Sequence, residues 1–159
     1  MTALALVVVA FVLMEPAAYL LHRYVMHGRG MVWHRSHHQP RPPDATFEGN
    51  DLFPVVMAAL TVAAMYAGST VDSLGWLVWT GVGVTGYGMA YLFVHDVYIH
   101  RRLAWFTWTW APLERVREAH RIHHLWSGEP YGFLFPIVPA ELRERARTVD
   151  RDPLLPTGA

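Results

Sequence analysis

The chain has 159 residues, a net charge of zero, 53% hydrophobic side chains and only 16% charged ones. That length suits one domain, and so apolar a balance is that of a membrane protein rather than a soluble one. There is no cysteine, which excludes disulfides, thiolate metal sites, iron–sulfur clusters and a thiolate-ligated haem.

Three segments are apolar enough to span a bilayer: Met1 to about Leu21, about Leu52 to Ala67, and about Leu74 to Val94. A span needs about 20 residues, so the second is marginal unless its neighbours extend it. The N-terminus has no positive n-region and no A-x-A site, and is not read as a cleaved signal peptide. All thirteen basic residues are arginines, and every one follows the first or the third segment. The positive-inside rule then sets the N-terminus and the turn "GSTVDS" outside, with residues 22–51 and 95–159 inside. Trp76 and Trp79 fall where an outer aromatic belt would be. "LAWFTWTWAPL" from 103 and "YGFLFPIVP" from 131 are too short to cross and read as interfacial or re-entrant segments. The end of the chain, from about 153, reads as a loose tail. The expected fold is an all-α integral membrane bundle. It is a single domain over 1–159, with about three spanning helices and cytoplasmic helices that carry histidines.

The ten histidines fall into four groups with none left over. His22 and His27 form H-x4-H, as do His95 and His100. His34, His37 and His38 form H-x2-H-H, as do His120, His123 and His124. The topology gathers all four groups at one membrane surface. On an α-helix, positions i, i+3 and i+4 share a face, so each H-x2-H-H reads as a short helix aiming three imidazoles at one point. Position i+5 is rotated by about 140°, so each H-x4-H pair is expected to straddle a helix end, with Gly28 and Gly30 marking the first. Pro40 ends the helix of His34, His37 and His38, and Pro112 suits the first turn of the helix of His120, His123 and His124.

Histidine is the commonest metal ligand near neutral pH. Ten imidazoles are too many for one ion and give about five nitrogens to each of two. A six-coordinate ion would keep one position open. Tetrahedral zinc needs only four ligands, so the set favours iron. Such ligands must be neutral, so acidification is expected to release the metal. The plainer alternatives are histidines that merely prefer the membrane interface, or a structural metal site. The regular grouping argues against both.

Other residues are weighed beside these. Glu15 lies inside the first span, two turns before His22 on the same face, with Tyr19 between. An intramembrane carboxylate is a functional candidate, and a buried hydrogen bond at the Pro16 kink is the equal alternative. Glu48, Asn50, Asp51 and Asp96 are candidates to accept the second N–H of metal-bound imidazoles. Solvated loop acids are the alternative. "GVGVTG" at 81–86 matches a dinucleotide fingerprint, but it lies inside a span. Gly81, Gly83, Gly86 and Gly88 read as sites of close helix packing. No E-x-x-H pair occurs, which excludes the soluble carboxylate di-iron bundle.

The segments "HRYVMHG", "WHRSHH", "FEGNDLF", "FVHDVYIHRR" and "AHRIHH" closely resemble the bacterial β-carotene 3-hydroxylases, within the membrane fatty-acid hydroxylase and sterol desaturase superfamily. The resemblance runs from about residue 12 to about residue 136 and includes residues between the histidines. It implies a non-haem di-iron enzyme of the inner membrane with all ten histidines as ligands. Zinc would be an adventitious substitute for the two Fe2+ ions. It further implies that O2 and two electrons from a ferredoxin hydroxylate C3 of a β-ionone ring, taking β-carotene through β-cryptoxanthin to zeaxanthin. Canthaxanthin would be converted toward astaxanthin. With no flavin, nicotinamide or cysteine site, electrons must come from a separate protein. The arginine-rich face could steer an acidic donor, or bind anionic membrane lipids. No nucleic acid partner is expected. Met89, Tyr91 and Phe93 are candidate liners of a lipid-side groove for the carotenoid. The alternatives are a related lipid oxygenase acting on a fatty acid, a sterol or C4 of the carotenoid ring, and a non-enzymatic membrane metal-binding protein. A transporter would place ligands near the midplane of the spans.

Overall fold

The structure, a computed structural model, describes residues 2–39, 47–103 and 105–154. Pro40 therefore lies outside the described residues. Among these residues there are helices and no strands. Helix α1 is Ala3–Leu20, α2 Met31–His34, α3 Leu52–Thr70, α4 Trp76–Tyr91, α5 Ala111–Trp126 and α6 Ala140–Ala146.

Three continuous helical rods are long and apolar enough to cross a membrane: Ala3–Arg29, Gly49–Thr70 and Asp72–Ile99. The second is not marginal. A 3-10 turn over Gly49–Asp51 leads into α3, and α3 runs on to Thr70. A reciprocal cap starts this rod. Glu48 accepts from the Asp51 backbone, and the Asp51 carboxylate accepts from Glu48 N at 3.0 Å.

Helix α4 is the middle of the three, packed against α1 on one side and α3 on the other. Glycines make both approaches possible. A Cβ on Gly83 would collide with Val7 O and meet Ala10 Cβ at 2.8 Å, and one on Gly81 would collide with Met65. The packing role expected of the glycine run is filled by these two. Gly86 makes only an ordinary contact with Phe11, and Gly88 has nothing within 4 Å. The dinucleotide reading of "GVGVTG" fails, because the motif sits inside α4 with no preceding strand.

Below the membrane rods, α5 starts at Ala111 with Pro112 in its first turn. The Trp-rich segment before it is not helical, and Trp105, Trp108 and Trp110 are exposed. The segment 131–139 is also irregular and folds back across the base of α1 and α4. The tail expected from about 153 includes Leu154, which is only 6% exposed and packs with Val94, Tyr98 and Ile99. Arg121 holds this end of the chain by donating to the carbonyls of Ala146, Val149 and Arg151, and Arg117 pairs with Asp152. Residues 155–159 lie outside the described residues.

Candidate metal centre

The second H-x4-H pair straddles a helix end, as expected, with His95 inside the helix and His100 at its C-cap; His22 and His27 lie together in one helical stretch that ends just after them at Gly28. α1 and α4 each pass directly into a π-helical stretch, Leu21–Arg29 and Leu92–Ile99. In a π-helix the backbone bond runs from i+5 back to i, so residues five apart stack on one face. His100 N donates to His95 O at 3.0 Å, and Gly30 N to Val25 O at 2.8 Å. Gly28 takes the non-helical backbone that ends the first stretch. The rotation that would separate the paired imidazoles is thereby reduced.

The second H-x2-H-H box lies wholly in α5, as expected, whereas the first leaves the regular helix. Only His34 lies in α2. Residues 35–39 continue as turns with i+3 bonds, such as His37 N to His34 O at 3.0 Å. The three imidazoles of a box do not meet at one point. His22, His27, His34, His38 and His123 form one group, and His37, His100, His120 and His124 form another, with ligand nitrogens in each lying within 4.8 Å of one another. Each box therefore sends its first and third histidines to one group and its middle histidine to the other.

This exchange relates the groups by a pseudo-two-fold. His22, His27, His34, His38 and His123 correspond to His95, His100, His120, His124 and His37. His95 is the one member outside the second group, yet its ring centre lies 4.7 Å from those of His37, His100 and His120. The ring of its counterpart His22 lies 5.0, 5.0 and 4.5 Å from His27, His34 and His123.

The nitrogens themselves test whether a cation fits. His22 Nδ1 faces the Tyr131 carbonyl at 2.9 Å, and His34 Nδ1 faces Asn50 Oδ1 at 2.7 Å. Both partners only accept, so both Nδ1 atoms carry the proton and both Nε2 atoms present a lone pair. Yet His22 Nε2 and His34 Nε2 are 3.2 Å apart. His123 Nδ1 likewise donates to Gly128 O at 2.6 Å, while its Nε2 faces His27 Nε2 at 3.1 Å. In the second group His120 Nε2 lies 2.9 Å from the Nε2 atoms of both His100 and His124. His37 donates from Nδ1 to Glu48 at 2.9 Å, and its buried Nε2 has no partner. Converging lone pairs in a buried site are what a bound cation satisfies.

Burial and the neighbouring imidazoles hold these rings neutral. Desolvation lowers His34 to about 4 and His38 to about 3. Desolvation first, then the adjacent histidines, lowers His37, His120 and His124 well below the usual imidazole range. His123 is lowered as well, despite the opposing bond to Gly128.

The expected orienting residues divide. Asn50, Glu48 and Asp96 bond to His34, His37 and His95, the last at 3.2 Å. Asp51 touches no histidine in these contacts and instead accepts from Arg102 at 2.7 Å. Glu15 is not directed at His22. It accepts from Tyr87 Oη at 2.7 Å and from the backbone N–H groups of Phe133, Leu134 and Phe135, so the buried hydrogen-bond alternative describes it. Tyr19 donates to Glu129 rather than joining Glu15 to His22.

A fatty acid hydroxylase family model matches residues 7–140. This chain belongs to the fatty acid hydroxylase family. It is 42% identical over 152 residues to a β-carotene hydroxylase of Pantoea ananas, covering 88% of this chain and 83% of that one. It is 39% identical to a β-carotene hydroxylase of Pseudescherichia vulneris, covering 87% and 79%. A chloroplastic β-carotene 3-hydroxylase 2 of Arabidopsis thaliana is 37% identical, with 88% of this chain matched to 46% of the longer plant protein. No solved structure matches significantly. The family and these relatives make this chain a membrane oxidoreductase of the hydroxylase class.

An apolar groove of ≈ 450 Å³ is lined by residues of α4, α5 and the 131–139 segment, among them Ala90, Val94, Leu113, Val116 and Leu134, and by no histidine. Of the expected liners, Met89 points outward and is 68% exposed, while Phe93 packs edge-on to Phe106. Tyr91 stacks on His95 with ring centres 4.7 Å apart. From this rod the groove takes Ala90 and Val94, which lie between the face of Met89 and Phe93 and that of Tyr91. Sequence reasoning also missed Gly128 and Tyr131, which act through backbone carbonyls that no side-chain pattern advertises. It missed Arg102 as well.

Proposed function

We propose that this chain is a di-iron monooxygenase that hydroxylates C3 of the β-ionone rings of β-carotene, through β-cryptoxanthin to zeaxanthin. Canthaxanthin, with the same free C3 position, would be taken toward astaxanthin. One C3–H bond, O2, two electrons and two protons give one C3–OH and one water. The observation that carries this reading is the pair of buried imidazole groups with converging lone pairs, in a chain similar over most of its length to β-carotene hydroxylases.

All ten histidines are the proposed ligands, five to each ion, with His95 completing the second set by its correspondence to His22. Five nitrogens per ion exceed what tetrahedral zinc takes and suit iron with one open position; zinc would enter only adventitiously. Bound iron supplies the activation of O2. The protein's own part is to hold ten neutral imidazoles, to exclude water around them, and to set a ring carbon at the inner end of the groove.

The orientation follows from charge: N-terminus outside, histidine centre and C-terminus at the cytoplasmic face of a bacterial inner membrane. A ferredoxin is the proposed donor. Its docking face would be the exposed arginines Arg143, Arg145, Arg147 and Arg151, since Arg102, Arg117 and Arg121 are engaged internally. The same arginines would meet anionic lipid headgroups.

The test is product analysis in a β-carotene-producing bacterial host, with the gene, without it, and with His123→Ala. Zeaxanthin that depends on His123 is the expected result. Unchanged β-carotene, despite folded and iron-loaded protein, would remove β-carotene as the substrate and point to another lipid.

A further inference from the structure

The pseudo-two-fold that relates the two histidine groups breaks in the layer of atoms behind them. His22 and His123 donate from Nδ1 to neutral backbone carbonyls, those of Tyr131 and Gly128. Their counterparts His95 and His37 donate to carboxylates, those of Asp96 and Glu48. One residue joins these carboxylates. Arg102 donates to Glu48 Oε1 at 2.6 Å and to Asp51 Oδ1 at 2.7 Å, and its Nε lies 3.2 Å from Asp96 Oδ1. Its backbone N also donates to the Asp96 carbonyl at 3.0 Å, and its side chain is 18% exposed. The oxygen that Arg102 holds on Glu48 is the one that accepts from His37, and the oxygen on Asp96 is the one that accepts from His95.

An imidazole that donates to a carboxylate is a stronger metal donor than one that donates to a neutral carbonyl. Three carboxylates gathered in a half-buried space repel one another and would turn to solvent. The guanidinium fork, with five N–H donors in one plane, satisfies all three at once, which a single ammonium cannot do with the same geometry.

We propose that the two metal sites are inequivalent, with Arg102 as the positioning residue that aims Glu48 and Asp96 at His37 and His95. The site of His37, His95, His100, His120 and His124 thereby binds its ion more tightly and as the more electron-rich of the two. This inference rests on the two-metal reading above. It assigns to Arg102, which touches no proposed ligand nitrogen among these contacts, control over one site and not the other.

The test uses the full chain in detergent, loaded anaerobically with 57Fe(II) and then titrated with a chelator. Metal content and Mössbauer spectra are recorded for wild type, Glu48→Gln, Arg102→Met, Arg102→Lys and Asn50→Ala. Wild type is expected to release two irons in two steps, with distinct quadrupole doublets. Glu48→Gln, which keeps the side-chain shape, should weaken the later-released iron by about 10–100-fold and change only its doublet. Arg102→Met should do the same, and Arg102→Lys should recover part of the loss. Asn50→Ala, which removes the acceptor behind His34, should affect the other doublet.

One-step release of both irons from wild type, or loss of the same doublet in Glu48→Gln and Asn50→Ala, would overturn the inequivalence. Wild-type release from Arg102→Met and Glu48→Gln would overturn the role of Arg102. If Arg102→Met does not fold, Glu48→Gln and Arg102→Lys decide the matter. Wild type that retains no iron would instead sink the two-metal reading itself.

Discussion

The carboxylate of Glu15, within the first membrane rod, accepts the backbone N–H of Phe133 at 2.9 Å, across 118 residues of chain. The N–H groups of Leu134 and Phe135 reach the same carboxylate at 3.1 Å, and Tyr87 Oη donates to its other side at 2.7 Å. Three successive N–H groups around one anion form a nest. Its consequence lies at the metal centre. Phe133 stacks on His22 with ring centres 4.8 Å apart, and two residues earlier the Tyr131 carbonyl fixes the tautomer of His22. Glu15 thus ties down the strap that orients a histidine it never touches.

Glu15→Gln turns an N–H2 toward that ring of donors and removes the charge. The expected cost is about 1.5–3 kcal/mol of stability, because hydrogen bonds to a charged group are lost in a buried setting. Melting in detergent with cleavage mapping of residues 131–135 checks it. Glu144→Gln on exposed α6, which removes only a surface pair with Arg147, should stay within about 1 kcal/mol of wild type. Equal melting of the two variants would refute the anchoring role.

A second expectation concerns pH. His34 and His38 are depressed by burial to about 4 and about 3, against an ordinary 6.5. In the metal-free chain the unfolded state therefore takes up protons first as pH falls. Stability is full above the ordinary imidazole value and declines below it, toward the folded values. Metal release, which needs the same protonations, moves down with them, below the range an exposed imidazole would set. Denaturation midpoints of the metal-free chain between about pH 7 and about pH 5 should fall steadily. A flat profile there would show that the histidines are solvated.

Much of this was visible in the sequence. The spans, the side of the chain that gathers the histidines, and Asn50, Glu48 and Asp96 near them could all be placed from hydropathy and spacing. The geometry within the boxes could not. An α-helical wheel puts His22 and His27 on different faces, and no residue preference announces that the backbone will widen to i+5 bonding there. The middle histidine of each H-x2-H-H leaves its neighbours because the facing box supplies complementary nitrogens, and that is a property of the assembled pair. Arg102 is hidden for the same reason. Its partners Glu48 and Asp51 are 54 and 51 residues away, and in one dimension it is one arginine among those that set topology.

The crossing of α1 and α4 gives a third prediction. At Gly83 the α1 backbone sits where a side chain would begin, with Ala10 Cβ at 2.8 Å from the added atom. Gly83→Val should force the helices apart and cost at least about 1–3 kcal/mol, the usual penalty of overpacking. Because α1 and α4 carry His22, His27, His95 and His100 at their ends, metal retention should fall together with folded yield. Gly88→Ala, on open space in the same helix, is the control and should leave both unchanged. A Gly83→Val chain with normal yield and metal would mean that the close crossing is dispensable.

The last prediction separates the groove from the metal centre. Ala90 and Leu134 line the apolar groove, and Leu134 also packs under Tyr87 and Phe133. On the proposed reading this groove is the route of the carotenoid ring, so filling it at Ala90 should misplace the reacting carbon without disturbing a ligand. Ala90→Phe is expected to lower zeaxanthin formation by up to about 100-fold, the scale on which small misplacements act. Its iron content and melting should stay at wild-type values. Met89, one residue away and exposed, faces outward, so Met89→Ala should change neither. Paired measurement of product and bound iron in the same membranes decides it. Lost product with retained iron in Ala90→Phe identifies the groove as the substrate path, whereas full product from Ala90→Phe would move that path to another face of the bundle.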